Sequence, residues 1–322
     1  MKNFWGNLPK PFLAQAPMEN VTDVTFREML CYVGAPDVFF TEFTSTDGIT
    51  SQGREKVIRR FEYTQKQRPI VAQIWGNNPH HYKESVLFIK ELGFDGVDIN
   101  MGCPDRHIVA RGCCSGLINN SQLAKEIILA TFEAAGKNFP VSIKTRIGYR
   151  TVEVERWIGF LLELHPAAIT VHLRTVKEMS KVPAHWEYAK EIVQLKNRIS
   201  PKTQIIGNGD IRSGEDALSA HSKYGVDGVM IGRGMFKNLW IFNRKRKFED
   251  ITTEEKLETL IRHLELFDKR WHGIKPYDLM KKFFKVYTSG MPNASDIRTK
   301  LMESQTAKDS IISIRQLLSQ TP

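Results

Sequence analysis

Eight short apolar runs recur along this chain, and their alternation with amphipathic segments is the strongest constraint on its fold. Most of the runs are almost continuous in apolar and β-branched residues, as expected of parallel strands buried on both faces. The predicted strands are Phe12–Ala16, Val38–Thr41, Ile70–Ile74, Gly96–Asn100, Val141–Thr145, Ala168–His172, Gln204–Gly207 and Gly228–Ile231.

Amphipathic segments between these runs predict helices, among them 79–92, 121–136, 153–164, 185–197 and 214–224. Repeated strand–helix units with eight strands predict an α/β fold, specifically a (β/α)8 TIM barrel. A doubly wound parallel sheet is the alternative. No Gly-x-Gly-x-x-Gly follows the first strand, however, so the dinucleotide-binding fingerprint of that fold is missing.

The pattern changes near residue 243, where strands stop and helical periodicity takes over at 254–271, 276–288, 293–303 and 307–319. We therefore predict two domains, a barrel over 1–242 and an all-α helical bundle over 243–322. The chain carries a net charge of +10, and the 80 residues from 243 onward hold half of this excess. A basic helical domain favours a polyanionic partner such as nucleic acid.

Composition and cysteine spacing narrow the class of protein. With 322 residues and 41% hydrophobic content, the chain needs no disulfide or structural metal to fold. No apolar run approaches the ~18 residues of a membrane span, and the N-terminal MKNFWGNLPKPF lacks a signal-peptide core. Four cysteines show neither a disulfide framework nor Cys-x-x-Cys spacing. We predict a cytoplasmic monomer that binds no metal and no membrane.

Polar or glycine-rich groups follow nearly every predicted strand. Active sites of such barrels lie at the carboxyl ends of the strands, so these groups are predicted to converge. Together they suit an anionic ligand that carries a polar heteroaromatic ring. In chain order they are Pro17-Met18, Glu42, Gln73, Asn100 to Cys103, Lys144 with Arg146, His172 with Arg174, Asn208-Gly209-Asp210 and Gly232-Arg233-Gly234.

Glycines at the last two strands predict a phosphate site. Gly209 and Gly232 allow close backbone approach, and the Arg233 guanidinium can fork onto phosphate oxygens. Either glycine alone is more often a turn residue. Both occurring where barrel phosphate sites are built favours phosphate binding.

Cys103 lies in Asn100-Met101-Gly102-Cys103-Pro104, directly after the fourth strand. A thiol with an ordinary pKa of about 8.5 is mostly protonated at neutral pH and can act as a general acid. It could instead be a nucleophile, although no His in the motif would activate it, or simply a small buried residue. For Cys113 and Cys114 the preferred interpretation is two small residues in a glycine-rich loop.

These motifs, in this order, resemble the dihydrouridine synthase family of FMN-dependent tRNA-modifying enzymes. The similarity spans almost the whole chain. It is carried by Ala16-Pro17-Met18, by 98–104 (Asp-Ile-Asn-Met-Gly-Cys-Pro), 142–146 (Ser-Ile-Lys-Thr-Arg), 171–175 (Val-His-Leu-Arg-Thr), 208–211 (Asn-Gly-Asp-Ile), 227–234 and 282–287.

The resemblance implies an FMN-holding barrel and a helical domain that grips tRNA. It implies that NADPH reduces FMN, that FMNH2 passes a hydride from N5 to C6 of a flipped-out uracil, and that Cys103 protonates C5. Residues implied to hold FMN are Pro17, Met18, Gln73, Lys144, His172, Asn208, Gly209, Asp210, Gly232 and Arg233. Those implied to contact uracil or tRNA are Asn100, Arg106, Arg146, Arg174, Lys282 and Lys285.

Some positions depart from the family pattern, and two other functions stay open. Asp105-Arg106-His107 replaces a usually Lys-containing stretch, Cys113-Cys114 lies in the glycine-rich turn, and Leu173 replaces a usual glycine.

An FMN barrel acting on a small molecule is one alternative function, and a non-enzymatic RNA-binding barrel is the other. The basic helical segment favours tRNA over a small molecule. Further candidate phosphate contacts are Arg244, Lys245, Arg246, Lys247, Lys281, Arg298 and Lys300.

Overall fold

Nine parallel strands form the centre of the computed structural model, which describes residues 3–319. All eight predicted runs contain a strand, and a further short strand, Thr44–Ser45, follows the second run. The bounds are β1 Phe12–Gln15, β2 Phe39–Phe40, β3 Thr44–Ser45, β4 Ile70–Trp75, β5 Gly96–Met101, β6 Val141–Arg146, β7 Ala168–His172, β8 Gln204–Asn208 and β9 Gly228–Ile231.

The sheet closes into a barrel, which confirms the predicted (β/α)8 fold over the doubly wound alternative. Its strand order is β1-β9-β8-β7-β6-β5-β4-β2, and β3 also pairs with β4. The circle is completed between β1 and β2, where Ala14 bridges Val38 and the Gln15 amide donates to the Val38 carbonyl over 3.0 Å. The carboxyl ends of the strands therefore share one rim.

Helices follow the strands and cover the outside of the barrel. The helix predicted over 153–164 opens with a π-helical turn, Val154–Gly159, before it continues as an α-helix. The barrel helices are α1 Val24–Val33, α2 Thr46–Thr50, α3 Arg54–Val57, α4 Pro79–Glu91, α5 Arg106–Ala110, α6 Ser121–Ala135, α7 Phe160–Glu163, α8 Glu187–Ile199 and α9 Gly214–Tyr224.

Local capping explains where two of these helices begin. The Asp23 carboxylate accepts from the amides of Thr25 and Phe26, both at 3.1 Å, and so satisfies free donors of α1. At α9, Ser213 and Asp216 form a reciprocal capping box. Both helices start shortly after a barrel strand, so each cap also fixes a loop at the rim.

The C-terminal segment is helical, as predicted, but one of its helices is broken. A single helix over 276–288 is wrong, because the structure has two short helices there. At the break Phe283 stacks on Phe26 at 5.3 Å and on Phe236 at 5.9 Å between ring centroids. The helices are α10 Thr253–Trp271, α11 Asp278–Lys281, α12 Phe284–Tyr287, α13 Ala294–Glu303 and α14 Ala307–Ser319.

Apolar side chains form two clusters, one inside the barrel and one outside it. The inner cluster includes Phe12, Phe40 and Met230, with Trp5 packed on the two phenylalanines. The outer cluster lies between strands and helices and continues into the C-terminal helices. The C-terminal helices therefore share a core with α1, and the ion pair between Lys275 and Asp23, 2.8 Å long, adds a polar contact there.

Within residues 3–319, none of the helices combines the length and apolar character needed to cross a bilayer.

Candidate active site

Strand register brings the predicted site residues side by side at the carboxyl rim. Asn100 on β5 pairs in register with Lys144 on β6, and His172 on β7 pairs with Asn208 on β8. A hydrogen bond joins the two pairs, because the Lys144 ammonium donates to the Asn208 side-chain oxygen over 3.4 Å. Polar side chains that are distant in sequence thus form one continuous arc.

A cavity of about 580 Å³ opens at this arc. Its size falls in the range of small-ligand pockets. One wall is the loop between β7 and α8, which contributes 180–183. Of the predicted site residues, those that line the cavity are Pro17, Met18, Lys144, His172, Arg174, Asn208, Gly209, Asp210, Gly232 and Arg233.

Arginine side chains dominate one end of this cavity. Arg174 is 2% exposed and forms an ion pair with Asp210, which also accepts from Arg233 over 3.2 Å. Burial by itself would raise the pKa of Asp210, but the hydrogen bonds from Arg174 and the Ala184 amide and the charges of Arg174 and Arg233 together outweigh it, and the net shift is downward. Asp210 therefore stays ionised and holds both guanidinium groups in place.

Two buried polar atoms of the cavity wall have no hydrogen-bond partner among residues 3–319. They are Nη1 of Arg174 and Nδ1 of His172. Burial, reinforced by the neighbouring cations, lowers the pKa of His172 well below its usual value, so the ring is neutral at neutral pH. Because unpaired buried polar atoms are costly, a ligand with polar groups fits this wall.

Gly209 has a backbone that favours glycine. Its φ of +136° is rarely adopted by other residues, and a Cβ there would lie 2.7 Å from the Cβ of Ala184. Gly232 is different, since its added Cβ would meet its nearest neighbour, Ala16, at 3.4 Å. The positive φ and the lack of room for a Cβ explain why residue 209 is glycine. Neither restricts residue 232, where the position in the cavity wall explains a glycine better.

Gln73 is placed differently from the other residues predicted to contact the flavin. It is fully buried and is not among the residues that line the cavity. Its amide nitrogen donates to Asp98 over 2.7 Å, and its amide oxygen accepts from Asn100 over 2.9 Å. Both contacts lie beneath the rim, and flavin contact by Gln73 stays a prediction.

The Cys103 loop is held by Asn100. The Asn100 side-chain oxygen accepts from the backbone amides of Gly102 and Cys103, both at 3.0 Å. Pro104 follows directly and restricts the backbone at this turn. Cys103 itself is partly exposed, so its thiol is placed at the rim rather than inside the core.

Cys113 and Cys114 are both buried in the glycine-rich loop, and Cys114 has a further contact. Its buried thiol hydrogen-bonds to the Cys103 thiol, and this contact lowers the pKa of Cys103 to about 7. An ordinary thiol pKa for Cys103 is therefore wrong. Cys114 also has a φ of +51°, uncommon for a residue other than glycine.

Lys144 brings a positive charge toward this thiol pair. Burial lowers its pKa to about 8, and the neighbouring Arg146 acts in the same direction. Lys144 lines the cavity and also interacts electrostatically with Cys103. A cation at this position favours negative charge on a bound ring and on the thiol.

Arg146, predicted to contact the substrate, is 6% exposed and bonds to loops of the rim. Its guanidinium donates to three backbone carbonyls, those of Gly102 at 2.9 Å and of Thr175 and Met179 at 3.0 Å each. These bonds tie the Cys103 loop to the loop that walls the cavity. Arg146 thus stabilises the rim through backbone contacts. Substrate contact by Arg146 stays a prediction.

The remaining predicted tRNA contacts lie on surfaces. Arg106 is exposed on α5, next to the Cys103 loop, and Lys285 is exposed on α12. Lys282 is half-buried and donates to the backbone carbonyl of Asn20, in the loop after β1. Lys282 therefore joins the C-terminal helices to the rim.

Several residues near the site carry no signal that sequence reasoning used. Cys114 and Asp98 contact predicted residues, and Lys181, Arg212 and Lys237 line the cavity. Asp98 stands two residues before Asn100 in the quoted motif, which is a usable signal. No group of three or more His, Cys, Asp or Glu side chains suited to a metal ion occurs in the described part of the chain.

Fold and site together define a class: a (β/α)8 barrel protein with a cavity at the strand carboxyl ends and a partly exposed thiol at its rim. The chain matches the family model described as dihydrouridine synthase (Dus) over residues 14–321. It belongs to the dihydrouridine synthase family.

Relatives share the full length of the chain. A protein of Staphylococcus aureus (strain COL), named "Probable tRNA-dihydrouridine synthase", is 42% identical, with 99% of this chain and 95% of the relative covered. The "Probable tRNA-dihydrouridine synthase 2" of Bacillus subtilis (strain 168) is also 42% identical, with 96% and 94% covered.

Solved structures of low identity share the fold. Morphinone reductase, determined in complex with tetrahydroNAD, has a TM-score of 0.53 at 16% identity and covers 76% of this chain and 88% of its own. Histamine dehydrogenase from Rhizobium sp. 4-9 has the same TM-score at 13% identity, with 79% and 48% covered. At these identities the likeness concerns the barrel alone.

Proposed function

We propose that this protein is a tRNA-dihydrouridine synthase, which reduces uridine in tRNA to 5,6-dihydrouridine. The observation that carries the proposal is the cavity at the strand carboxyl ends, whose wall holds unpaired buried atoms of His172 and Arg174. Lys144 lines this cavity and also interacts electrostatically with the Cys103 thiol. Membership of the family and the names of its 42% identical relatives support the same activity.

FMN fits the chemistry of this cavity. The Arg233 guanidinium and the backbone at Gly209 and Gly232 suit a phosphate, while Lys144, His172 and Asn208 suit the polar edge of the ring and its ribityl chain. Arg174 lines the same cavity, and its contact with uracil or tRNA stays a prediction. Pro17 and Met18 offer an apolar surface to the ring. When bound here and reduced by NADPH, FMN would supply the hydride for C6 of the uracil.

Cys103 supplies the proton for C5 of the uracil. A thiol with a pKa of about 7 is half protonated at pH 7, so it serves as a general acid near neutrality. Asn100 holds the loop backbone, and Arg146 ties the loop to its neighbour. The Lys144 ammonium favours the thiolate that is left after proton transfer.

The C-terminal helical segment, 243–322, serves as the tRNA-binding domain beside the catalytic barrel over 1–242. A uracil in folded tRNA must leave its stack to reach a barrel rim, and backbone contacts must offset that cost. A cationic groove supports the assignment, since Lys281, Lys282, Lys285 and Arg298 line one surface pocket of the C-terminal helices. Cytoplasmic location and a monomeric state stay predictions.

Purified protein and unmodified tRNA test the proposal directly. The protein is expected to carry or take up FMN and, with NADPH, to form dihydrouridine measured by nucleoside mass spectrometry. Cys103→Ala is expected to lower the rate about 10²–10⁴-fold, the range of general acid catalysis, at unchanged flavin content. Cys31→Ala is the matched control. Wild-type protein that binds tRNA without reducing it would favour the non-enzymatic RNA-binding alternative.

A further inference from the structure

Asp98 is a fully buried carboxyl group that the proposed mechanism does not use. It lies on β5, two residues before Asn100, inside the barrel and beneath the rim. Burial raises its pKa only to about 6, so it is mostly ionised at neutral pH. An ionised carboxylate in a barrel interior needs hydrogen-bond donors around it.

Two donors meet the two carboxylate oxygens of Asp98. The Ser142 hydroxyl donates to Oδ1 over 2.6 Å, and the Gln73 amide nitrogen donates to Oδ2 over 2.7 Å. Since an ionised carboxylate only accepts, Gln73 must present its NH2 group to Asp98. The amide oxygen of Gln73 is then directed away from Asp98.

The orientation of Gln73 passes to Asn100 and from there to the Cys103 loop. The Gln73 oxygen accepts from the Asn100 amide nitrogen over 2.9 Å. Asn100 thereby presents its own oxygen to the backbone amides of Gly102 and Cys103, both at 3.0 Å. A reversed Asn100 amide would place an NH2 group against two N–H donors and lose both bonds.

We propose that Asp98 is a positioning residue, which fixes the amide orientations of Gln73 and Asn100 and through them the backbone of Cys103. The chain of contacts from Asp98 through Gln73 and Asn100 to Cys103 is called the Asp98 relay. Its catalytic meaning rests on the proposed role of Cys103 as the proton donor. The relay itself is a property of the fold.

Two substitutions separate the acceptor role of Asp98 from simple filling of space. Asp98→Leu places an apolar side chain of similar branched shape at this position and removes every hydrogen-bond acceptor. Asp98→Asn keeps one oxygen for Gln73, and its NH2 group can donate to the Ser142 hydroxyl. Ser142→Ala is the matched control, because it removes the other partner of Asp98 without touching the relay.

Two readouts apply to each flavin-loaded variant. The first is the iodoacetamide alkylation rate of Cys103, resolved by mass spectrometry, with an added cysteine-containing peptide as the internal reference. The second is the separation of kcat from the KM for tRNA. A residue that only supports the fold changes thermal stability, whereas the relay changes Cys103 reactivity and kcat in folded protein.

Asp98→Leu is expected to free the Cys103 loop. Cys103 alkylation should rise about tenfold relative to wild type, equivalent to ~1.4 kcal/mol, and kcat should fall while the KM for tRNA stays within about twofold. Asp98→Asn and Ser142→Ala should stay within about threefold of wild type in alkylation, less than ~0.7 kcal/mol. Wild-type reactivity in Asp98→Leu, or equal defects in the Leu and Asn variants, would overturn the relay.

A swapped pair covers the case in which Asp98→Leu does not fold. Gln73→Glu alone sets two carboxylates against each other. In Gln73→Glu with Asp98→Asn, the new amide donates to the new carboxylate, whose other oxygen still accepts from Asn100. Restored Cys103 alkylation in the pair supports the relay, and a pair no better than Gln73→Glu contradicts it.

The two readouts distinguish failure of the relay from failure of the proposed function. If wild-type protein makes no dihydrouridine but the alkylation contrasts appear, the function is wrong and the relay stands. If wild-type protein reduces tRNA but Asp98→Leu matches it in alkylation and kcat, the relay is wrong and the function stands.

Discussion

The thiol of Cys103 lies between a hydrogen-bond donor and a cation. Cys114 donates to it from the buried side, and Lys144 interacts with it from the cavity. Both contacts stabilise the thiolate, so the pKa of Cys103 falls to about 7 while that of Cys114 rises well above its usual value. The Cys103 thiol therefore titrates near neutral pH, whereas the Cys114 thiol stays protonated.

Cys114→Ala is expected to move the titration of Cys103 upward. Without the donor, the pKa of Cys103 rises from about 7 toward the ordinary value of a thiol. The protonated thiol is the acid, so activity at high pH should persist further, while alkylation, which needs the thiolate, should require higher pH. Both midpoints are read from pH profiles of tRNA reduction and of site-resolved alkylation.

Cys113→Ala is the matched control for that experiment. Cys113 is also buried, but its thiol contacts the Arg111 carbonyl, at 3.9 Å. Its removal should leave the Cys103 midpoint in place. An unchanged midpoint in Cys114→Ala, or an equal shift in both variants, would contradict the role given to Cys114.

At the scale of elements, the loops of the rim depend on buried arginines. Arg146 at the end of β6 donates to carbonyls of two different loops, and Arg174 after β7 pairs with Asp210 after β8. Each guanidinium thus joins segments that are far apart in sequence. The cavity wall at 180–183 is positioned by these contacts rather than by regular secondary structure.

Arg146→Ala is expected to destabilise the protein more than it weakens tRNA binding. The change leaves three carbonyls without their charged donor, and we expect about 3 kcal/mol less free energy of unfolding. Denaturant unfolding measures this loss, and tRNA affinity is measured on folded protein. The exposed Arg150 offers the control Arg150→Ala. Intact stability with weakened tRNA binding would instead favour direct substrate contact.

Sequence pattern predicted the barrel because buried parallel strands leave a plain signal. The runs at β4 to β9 are rich in apolar and β-branched residues, and their bounds agree with the structure to within two residues. The second strand and the 276–288 helix were less predictable, because tertiary contacts decide them. β2 and β3 are short pieces on β4, and Phe283 packs between two aromatic rings at the helix break.

Site residues at the ends of strands could be predicted from the sequence. Site residues that a loop brings back to the rim could not. Strand register alone places Lys144 beside Asn100 and Asn208 beside His172. The contact of Cys114 with Cys103 depends on the path of the 105–113 segment, for which the sequence carries no register. The same holds for the carbonyls that Arg146 reaches, since backbone acceptors have no sequence signature.

At the scale of the whole molecule, the C-terminal helices are joined to the barrel by core and by charge. Phe283 stacks on Phe26 of α1, and Lys282 donates to the loop after β1. In the proposed function, tRNA bound to these helices is therefore held at a fixed position relative to the rim. Lys285 differs from Lys282, since it is exposed to solvent, where a phosphate can reach it.

Lys285→Ala is expected to weaken tRNA binding through the loss of one phosphate contact. The slope of log affinity against log salt should become shallower by about 0.7–0.9, the value for one neutralised phosphate. Flavin content and thermal stability should not change. Lys125→Ala on α6 removes an exposed lysine from the outer face of the barrel, and its salt slope should match wild type. Identical slopes in both variants would remove Lys285 from the interface.

Position-resolved nucleoside analysis of cellular tRNA tests whether this barrel reduces uridine in tRNA. Total tRNA from cells with the protein, without it, and with Cys103→Ala in its place is compared site by site. We predict that at least one dihydrouridine position is lost without the protein and is not restored by Cys103→Ala. Identical dihydrouridine at every position in all three strains, in cells that hold no second enzyme of this family, would show that this barrel does not reduce uridine in tRNA.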